Sequence, residues 1–139
     1  EIFITMPKVR SIKIDGSGNV IGENVFEGAQ IDLEIDGSGD IVAELDVDKL
    51  KGDIDGSGDM KLNGTATDVE FEIDGSGDLS GFDLITENAN VKIDGSGNIN
   101  LTVNNSLKVK INGSGDVRYK GNPTLDIDID GSGDVTDAN

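Results

Sequence analysis

Fourteen Asp or Asn residues flank seven copies of Gly-Ser-Gly, and they are the recurrent groups in this chain that could do chemistry. The leading positions are Asp15, Asp36, Asp55, Asp74, Asp94, Asn112 and Asp130. The trailing positions are Asn19, Asp40, Asp59, Asp78, Asn98, Asp116 and Asp134. Carboxylates paired across a tight turn suit a hard divalent cation, because calcium takes several oxygen ligands from carboxylates and carbonyls. The corners with Asp on both sides supply the candidate ligands: Asp36 with Asp40, Asp55 with Asp59, Asp74 with Asp78, and Asp130 with Asp134. Carboxylates ~4.8 Å apart repel by about 0.9 kcal/mol per pair in water, so any counterion is welcome. A flat ladder on a convex corner diverges, however, and a tight site needs converging oxygens. The expectation is weak calcium binding, mostly as a diffuse atmosphere, with no other cofactor.

Turn chemistry competes with that reading and explains every residue type in the motif. Asp and Asn cap turns through their side-chain oxygens, and Gly supplies positive φ. Asn at three of the fourteen positions says that turn shape, rather than charge, is required. Other chemistries find less support. The seven corner serines, Ser17 to Ser132, have no histidine anywhere in the chain to activate them. The Gly-Ser-Gly loop lacks the lysine that a phosphate cradle needs. Paired carboxylates serve glycosidases, but catalysis requires one unique site and these pairs recur at every corner. The run Asp126–Asp134 resembles the start of an EF-hand loop without its helices. Outside the repeat, the singular residues are Phe26, Phe82 and Arg118-Tyr119-Lys120, which read as packing and ordinary surface charge.

The spacing of the corners says what positions them. Their first glycines fall at Gly16, Gly37, Gly56, Gly75, Gly95, Gly113 and Gly131, at intervals of 18 to 21 residues. An isoleucine precedes each corner Asp or Asn: Ile14, Ile35, Ile54, Ile73, Ile93, Ile111 and Ile129. Two residues earlier the position is apolar, with Gly52 the exception. A further apolar residue follows each corner, from Val20 to Val135. Apolar and polar residues alternate, as in half-buried strands, and no segment keeps a helical period. Drifting intervals exclude a coiled coil or collagen, whereas a solenoid absorbs small insertions in its loops. The pattern predicts an all-β, single-stranded parallel β-helix of about seven rungs. Each rung has two short strands around the corner and a less regular returning side. Stacked in register, Lys13–Glu34, Glu72–Lys92 and Lys110–Asp128 would form opposite-charge pairs, while Glu34, Asp53 and Glu72 would repel.

Composition agrees with a thin core. Aromatic residues are only 4% of the 139, too few for a compact globule but enough for stacked rungs that each bury a narrow stripe. The net charge of −17 repels nucleic acid and anionic membranes, so neither is an expected partner. The absence of cysteine excludes disulfides and thiolate chemistry. No apolar run is long enough to insert in a membrane. The chain reads as a single domain over residues 1–139 that opens inside its own pattern, at Glu1-Ile2-Phe3-Ile4, as a fragment of a longer protein would. Bare rung edges invite association, so a homo-oligomer through the helix ends is expected, chiefly at the apolar N-terminal end.

The opening Thr5-Met6-Pro7-Lys8-Val9-Arg10-Ser11-Ile12-Lys13-Ile14, followed by repeated Gly-Ser-Gly-Asp-apolar corners, resembles the head GIN domain family. Members of that family are secreted or lipid-anchored proteins of the auto-transporter adhesin type. The resemblance implies a right-handed parallel β-helix and a place outside the cell, at its surface or in the periplasm. It implies a non-enzymatic binding or adhesion module whose ligand is a surface glycan or protein. It carries over no catalytic residue. A self-assembling, bactofilin-like β-helix polymer is the alternative. A polysaccharide-active β-helix enzyme is a weaker one, with Arg118 as the basic residue near a corner.

Overall fold

A computed structural model describes residues 2–4, 11–22 and 25–139. Eleven strands follow one another among the described residues, without a helix. They are β1 (Ile2–Ile4), β2 (Ser11–Gly16), β3 (Val20–Gly22), β4 (Phe26–Gly37), β5 (Ile41–Gly56), β6 (Met60–Gly75), β7 (Leu79–Gly95), β8 (Ile99–Gly113), β9 (Val117–Lys120), β10 (Thr124–Gly131) and β11 (Val135–Asp137). Every pairing is parallel, and each strand stacks on one a full turn away in sequence. The chain is thus a parallel β-solenoid of about seven turns.

The corner glycines stack in one column from Gly16 to Gly131, with the isoleucines in another from Ile14 to Ile129. The isoleucine column is buried from Ile14 to Ile111, and Ile129 is 37% exposed. After the corner, Val20, Ile41, Met60, Leu79, Ile99, Val117 and Val135 make a second apolar column. The core is these columns and their continuation, including Ile31, Leu50, Val69, Ala89 and Leu107.

The returning side departs from the expectation of short strands and an irregular loop. Strands β5 to β8 run 15 to 17 residues without a break, because backbone pairing with the neighbouring rungs continues around the bends. Register shifts between Lys61 and Gly64, Gly81 and Ile85, and Thr86 and Asn88 absorb the unequal repeat lengths. At one bend Gly64 has φ +107°, left-handed backbone that a side chain would resist. In the same region buried Thr86 donates its hydroxyl to the Thr102 carbonyl at 2.8 Å. The sixth rung does break, at Gly121–Pro123 between β9 and β10, where proline offers no N–H to the ladder.

At the N-terminal side, Ile2–Ile4 pairs in register with Val20–Gly22. The tail is tied back to the preceding rung: Asn139 accepts from the Gly121 N–H at 2.9 Å and donates to the Gly121 carbonyl at 2.8 Å.

Stacking brings the strand charges together as the register requires. Lys13 meets Glu34 at 3.4 Å and Lys92 meets Glu72 at 3.8 Å, both half exposed, so each contributes about 0–1 kcal/mol. Lys110 and Asp128 stand in register without closing into an ion pair. Asp53 sits between Glu34 and Glu72. Burial, then the charges of Glu72, Glu34 and Asp55, raise its pKa against the opposing pull of Lys51. The folded chain therefore holds this proton more tightly than the unfolded chain does. Ionisation of Asp53 subtracts stability above its folded pKa, and that stability returns as pH falls through it. Asp53→Asn should melt above the parent at neutral pH, and the gap should shrink as pH enters the carboxylate range. A variant that melts lower at neutral pH would contradict this.

Candidate functional site

The corner begins with its backbone. The first glycine of every corner has φ between +105° and +130°, the left-handed region that favours glycine. The second glycine has no such φ, and a steric reason takes over. A Cβ on Gly39, Gly58, Gly77, Gly97, Gly115 or Gly133 would collide with the glycine carbonyl oxygen of the rung below and with the Cγ2 of that rung's corner isoleucine. Between them, the serine N–H donates to the first-glycine carbonyl of the rung below, as Ser76 does to Gly56 at 2.9 Å.

The flanking acids then divide into two classes that the sequence does not distinguish. The leading residues Asp36, Asp55, Asp74 and Asp130 point to solvent. The trailing residues form a ladder. The Asp40 N–H donates to the Asn19 Oδ1 at 3.1 Å, the Asp59 N–H to the Asp40 Oδ1 at 3.1 Å, and the Asp78 N–H to the Asp59 Oδ1 at 3.0 Å. The Asn98 N–H continues it to the Asp78 Oδ1 at 2.9 Å, the Asp116 N–H to the Asn98 Oδ1 at 3.2 Å, and the Asp134 N–H to the Asp116 Oδ1 at 3.1 Å. One side-chain oxygen per rung closes a backbone donor of the next rung. That oxygen exists in both Asp and Asn, which accounts for their exchange.

A matched pair of variants reads this ladder. Asp59→Asn and Asp59→Ala both remove the charge, but only the alanine removes the acceptor for Asp78. The alanine should be less stable than the asparagine by about 0.5–1.5 kcal/mol in urea denaturation. Equal stabilities would mean the ladder contributes nothing.

Among the described residues, no three or more acidic side chains gather as a metal site would require. The candidate cation ligands are therefore spread in columns, one oxygen of each inner trailing acid engaged by backbone. Calcium and magnesium should each raise the melting temperature modestly and to nearly equal extents, with monovalent salt reproducing part of the rise. A saturable, calcium-selective isotherm by titration calorimetry would contradict that.

A second arrangement lies on the returning side, where the sequence offered no repeat to read. Gln30, Lys49, Asp68, Asn88 and Ser106 stack in one outward column. Asp32, Lys51, Glu70, Asn90 and Lys108 stack in another. Between them Leu50, Val69 and Ala89 floor a trough of about 460 Å³. Its wall is cross-linked: the Asn88 amide donates to the Asp68 Oδ1 at 2.9 Å, while the Asn105 amide and the Ser106 hydroxyl each donate to the Asn88 Oδ1 at 2.8 Å. Three lysines against two acids line it, so it is a locally non-acidic strip on a chain of net charge −17.

The singular residues scatter. Phe26 is buried in the core. Phe82 lies under the Lys120 ammonium, 4.7 Å from the ring centroid. Arg118 is exposed on β9 and shares a small polar cleft with Asp78, Asn98 and Asp116, none of which lines the trough.

The family model for “Putative auto-transporter adhesin, head GIN domain” matches residues 1–123. The chain belongs to this family. Three crystal structures resemble it closely. A “putative lipid binding protein” from Parabacteroides distasonis is 33% identical with a TM-score of 0.95, covering 99% of this chain and 57% of its own. A “putative adhesin” from Bacteroides fragilis is 28% identical with a TM-score of 0.88, covering 93% and 60%. Another from Parabacteroides merdae is 30% identical with a TM-score of 0.86, covering 93% and 57%. The chain thus spans somewhat over half the length of these three proteins. No curated protein sequence matches it. No helix among the described residues is long and apolar enough to cross a membrane.

Proposed function

We propose that the chain is a non-enzymatic, adhesion-type binding module that works at the cell surface or in the periplasm, and that its trough holds an extended glycan. The observation that carries this is the trough itself. Its amide, hydroxyl and ammonium groups recur once per rung, ~4.8 Å apart, in two columns along the solenoid axis. A polymer of pyranose rings advances by a similar length per sugar, so successive sugars can meet successive rungs. Amides and lysines supply the donors and acceptors that hydroxyl-rich or weakly anionic sugars need. Membership in an adhesin family and the extracellular setting of such proteins support the same reading.

Immobilised polysaccharides, neutral and uronate-bearing, test it. The chain should be retained by at least one, and Lys51→Glu combined with Asn90→Asp should weaken retention about tenfold or more while leaving the melting temperature within a few degrees. Both positions are exposed, so folding should survive. Retention that is indifferent to these substitutions, or absent across the set, would overturn the proposal.

A further inference from the structure

The two walls of the trough carry the same chemistry within a rung and different chemistry between rungs. In the third rung the outward pair is Lys49 and Lys51, on either side of buried Leu50. In the fourth it is Asp68 and Glu70 around Val69, and in the fifth Asn88 and Asn90 around Ala89. The strand register sets Lys49, Asp68 and Asn88 in one column and Lys51, Glu70 and Asn90 in the other. Along the solenoid axis a ligand therefore meets two cations, then two anions, then two amides, each step one rung of ~4.8 Å.

The wall does not cancel its own charges. The ion pairs closed among the described residues are Lys13–Glu34 and Lys92–Glu72, and neither involves the trough. Asp68 is held as an acceptor: its Oδ1 takes the Asn88 amide at 2.9 Å, and Asn88 is itself fixed by Asn105 and Ser106. The fourth rung thus accepts hydroxyl and N–H donors and repels a carboxylate. The third rung attracts a carboxylate. The amide rung donates to one without a charge of its own.

Such a series selects against a uniform polymer. In a polyuronate every sugar bears a carboxylate, so seating one against Lys49 and Lys51 drives the next onto Asp68 and Glu70. In a neutral polymer the lysines find no counter-charge. A carboxylate on every second sugar satisfies all three rungs.

Resting on the reading of the trough as a glycan site, we propose that its ligand is a polymer in which a uronic acid alternates with an uncharged N-acetylhexosamine. One carboxylate lies between Lys49 and Lys51. The next sugar turns its acetamido N–H and hydroxyls to Asp68 and Glu70. The following carboxylate accepts from the side-chain amides of Asn88 and Asn90. Selectivity comes as much from the misplaced charge of the wrong polymer as from the contacts of the right one.

The probes are biotinylated octasaccharides of hyaluronan, which alternates in this way, of polygalacturonate, and of maltose units as the neutral case. Biolayer interferometry against the intact chain should show hyaluronan binding about tenfold or more tightly than either of the others, since two neighbouring charges of the wrong sign cost about that factor. Lys49→Gln/Lys51→Gln should lower hyaluronan binding about tenfold, and Asp68→Asn/Glu70→Gln should raise polygalacturonate binding by a similar factor. Melting temperatures near the parent's show that both double variants remain folded. Polygalacturonate or the neutral octasaccharide binding as tightly as hyaluronan would overturn the proposal and leave the trough a glycan site. So would a preference that either double variant leaves in place. Binding of none of the three would overturn this proposal, and the glycan reading falls only if the wider polysaccharide set is also not retained.

Discussion

Ile73→Asp should unfold the middle of the solenoid. Ile73 is 1% exposed and stacks between Ile54 and Ile93, with buried Phe71 two residues before it. An aspartate there has neither water nor a partner, and burying an unpaired charge is among the few changes that cost more than about 4–5 kcal/mol. Domains of this size hold about 5–15 kcal/mol in all. Because each rung touches only its neighbours, the loss should spread from the third and fifth rungs outward rather than remain at one side chain. Circular dichroism and urea titration should show the strand signal lost or its midpoint greatly lowered. Ile73→Val should lose only about 0.5–1.5 kcal/mol, and Ile129→Asp, at a position 37% exposed, far less than Ile73→Asp. A native-like Ile73→Asp chain would contradict the buried column.

Gly77→Ala should be clearly destabilising, and Gly18→Ala should be harmless. The two glycines hold the same place in the repeat. At Gly77 a Cβ meets the carbonyl oxygen of Gly58 and the Cγ2 of Ile54, whereas at Gly18 nothing among the described residues lies within 4 Å. The neighbour at Gly77 is backbone that is itself fixed in the ladder, so the rungs must separate locally. Overpacking of this sort costs about 1–3 kcal/mol and occasionally more, and the backbone contact puts Gly77 at the upper end. Gly18→Ala should stay within about 0.5 kcal/mol of the parent. Thermal or urea denaturation of the two variants gives the comparison directly. Equal losses would show that the second glycine is needed for its conformation and not for the space it leaves between rungs.

The corner was legible in the sequence because its spacing is short and fixed: Ile, Asp or Asn, Gly, Ser, Gly, then Asp or Asn, with the apolar columns on either side. That pattern alone places Ile14 to Ile129 on one face and the candidate acids on the outside. The different duties of the two glycines were not legible, since one rests on φ and the other on what lies in the rung below. Gly52 is a similar case. It breaks the apolar pattern in sequence, and the structure shows that a Cβ there would strike the Phe71 ring one rung above. The leading and trailing acids also look alike until the rungs are stacked and the trailing oxygens meet the next backbone N–H.

The trough was hidden for a further reason. Its columns pair Lys49 with Asp68, Asp68 with Asn88, and Asn88 with Ser106, at separations of 19, 20 and 18 residues. Those unequal steps come from the register shifts on the returning side, which have no signature in residue type.

The central claim is that successive corners stack in register, one rung apart. The chain has no cysteine, so labels can be placed at will. Spin labels on Ser57→Cys and Ser76→Cys, at exposed serines nineteen residues apart in sequence, should lie about one rung spacing, ~4.8 Å, from each other at the backbone. Electron paramagnetic resonance of the doubly labelled chain should show strong spin–spin interaction, growing towards a single exchange-narrowed line when Ser38→Cys is added. Each singly labelled chain should give an ordinary three-line spectrum. A doubly labelled spectrum equal to the sum of the single ones would contradict the stacked solenoid.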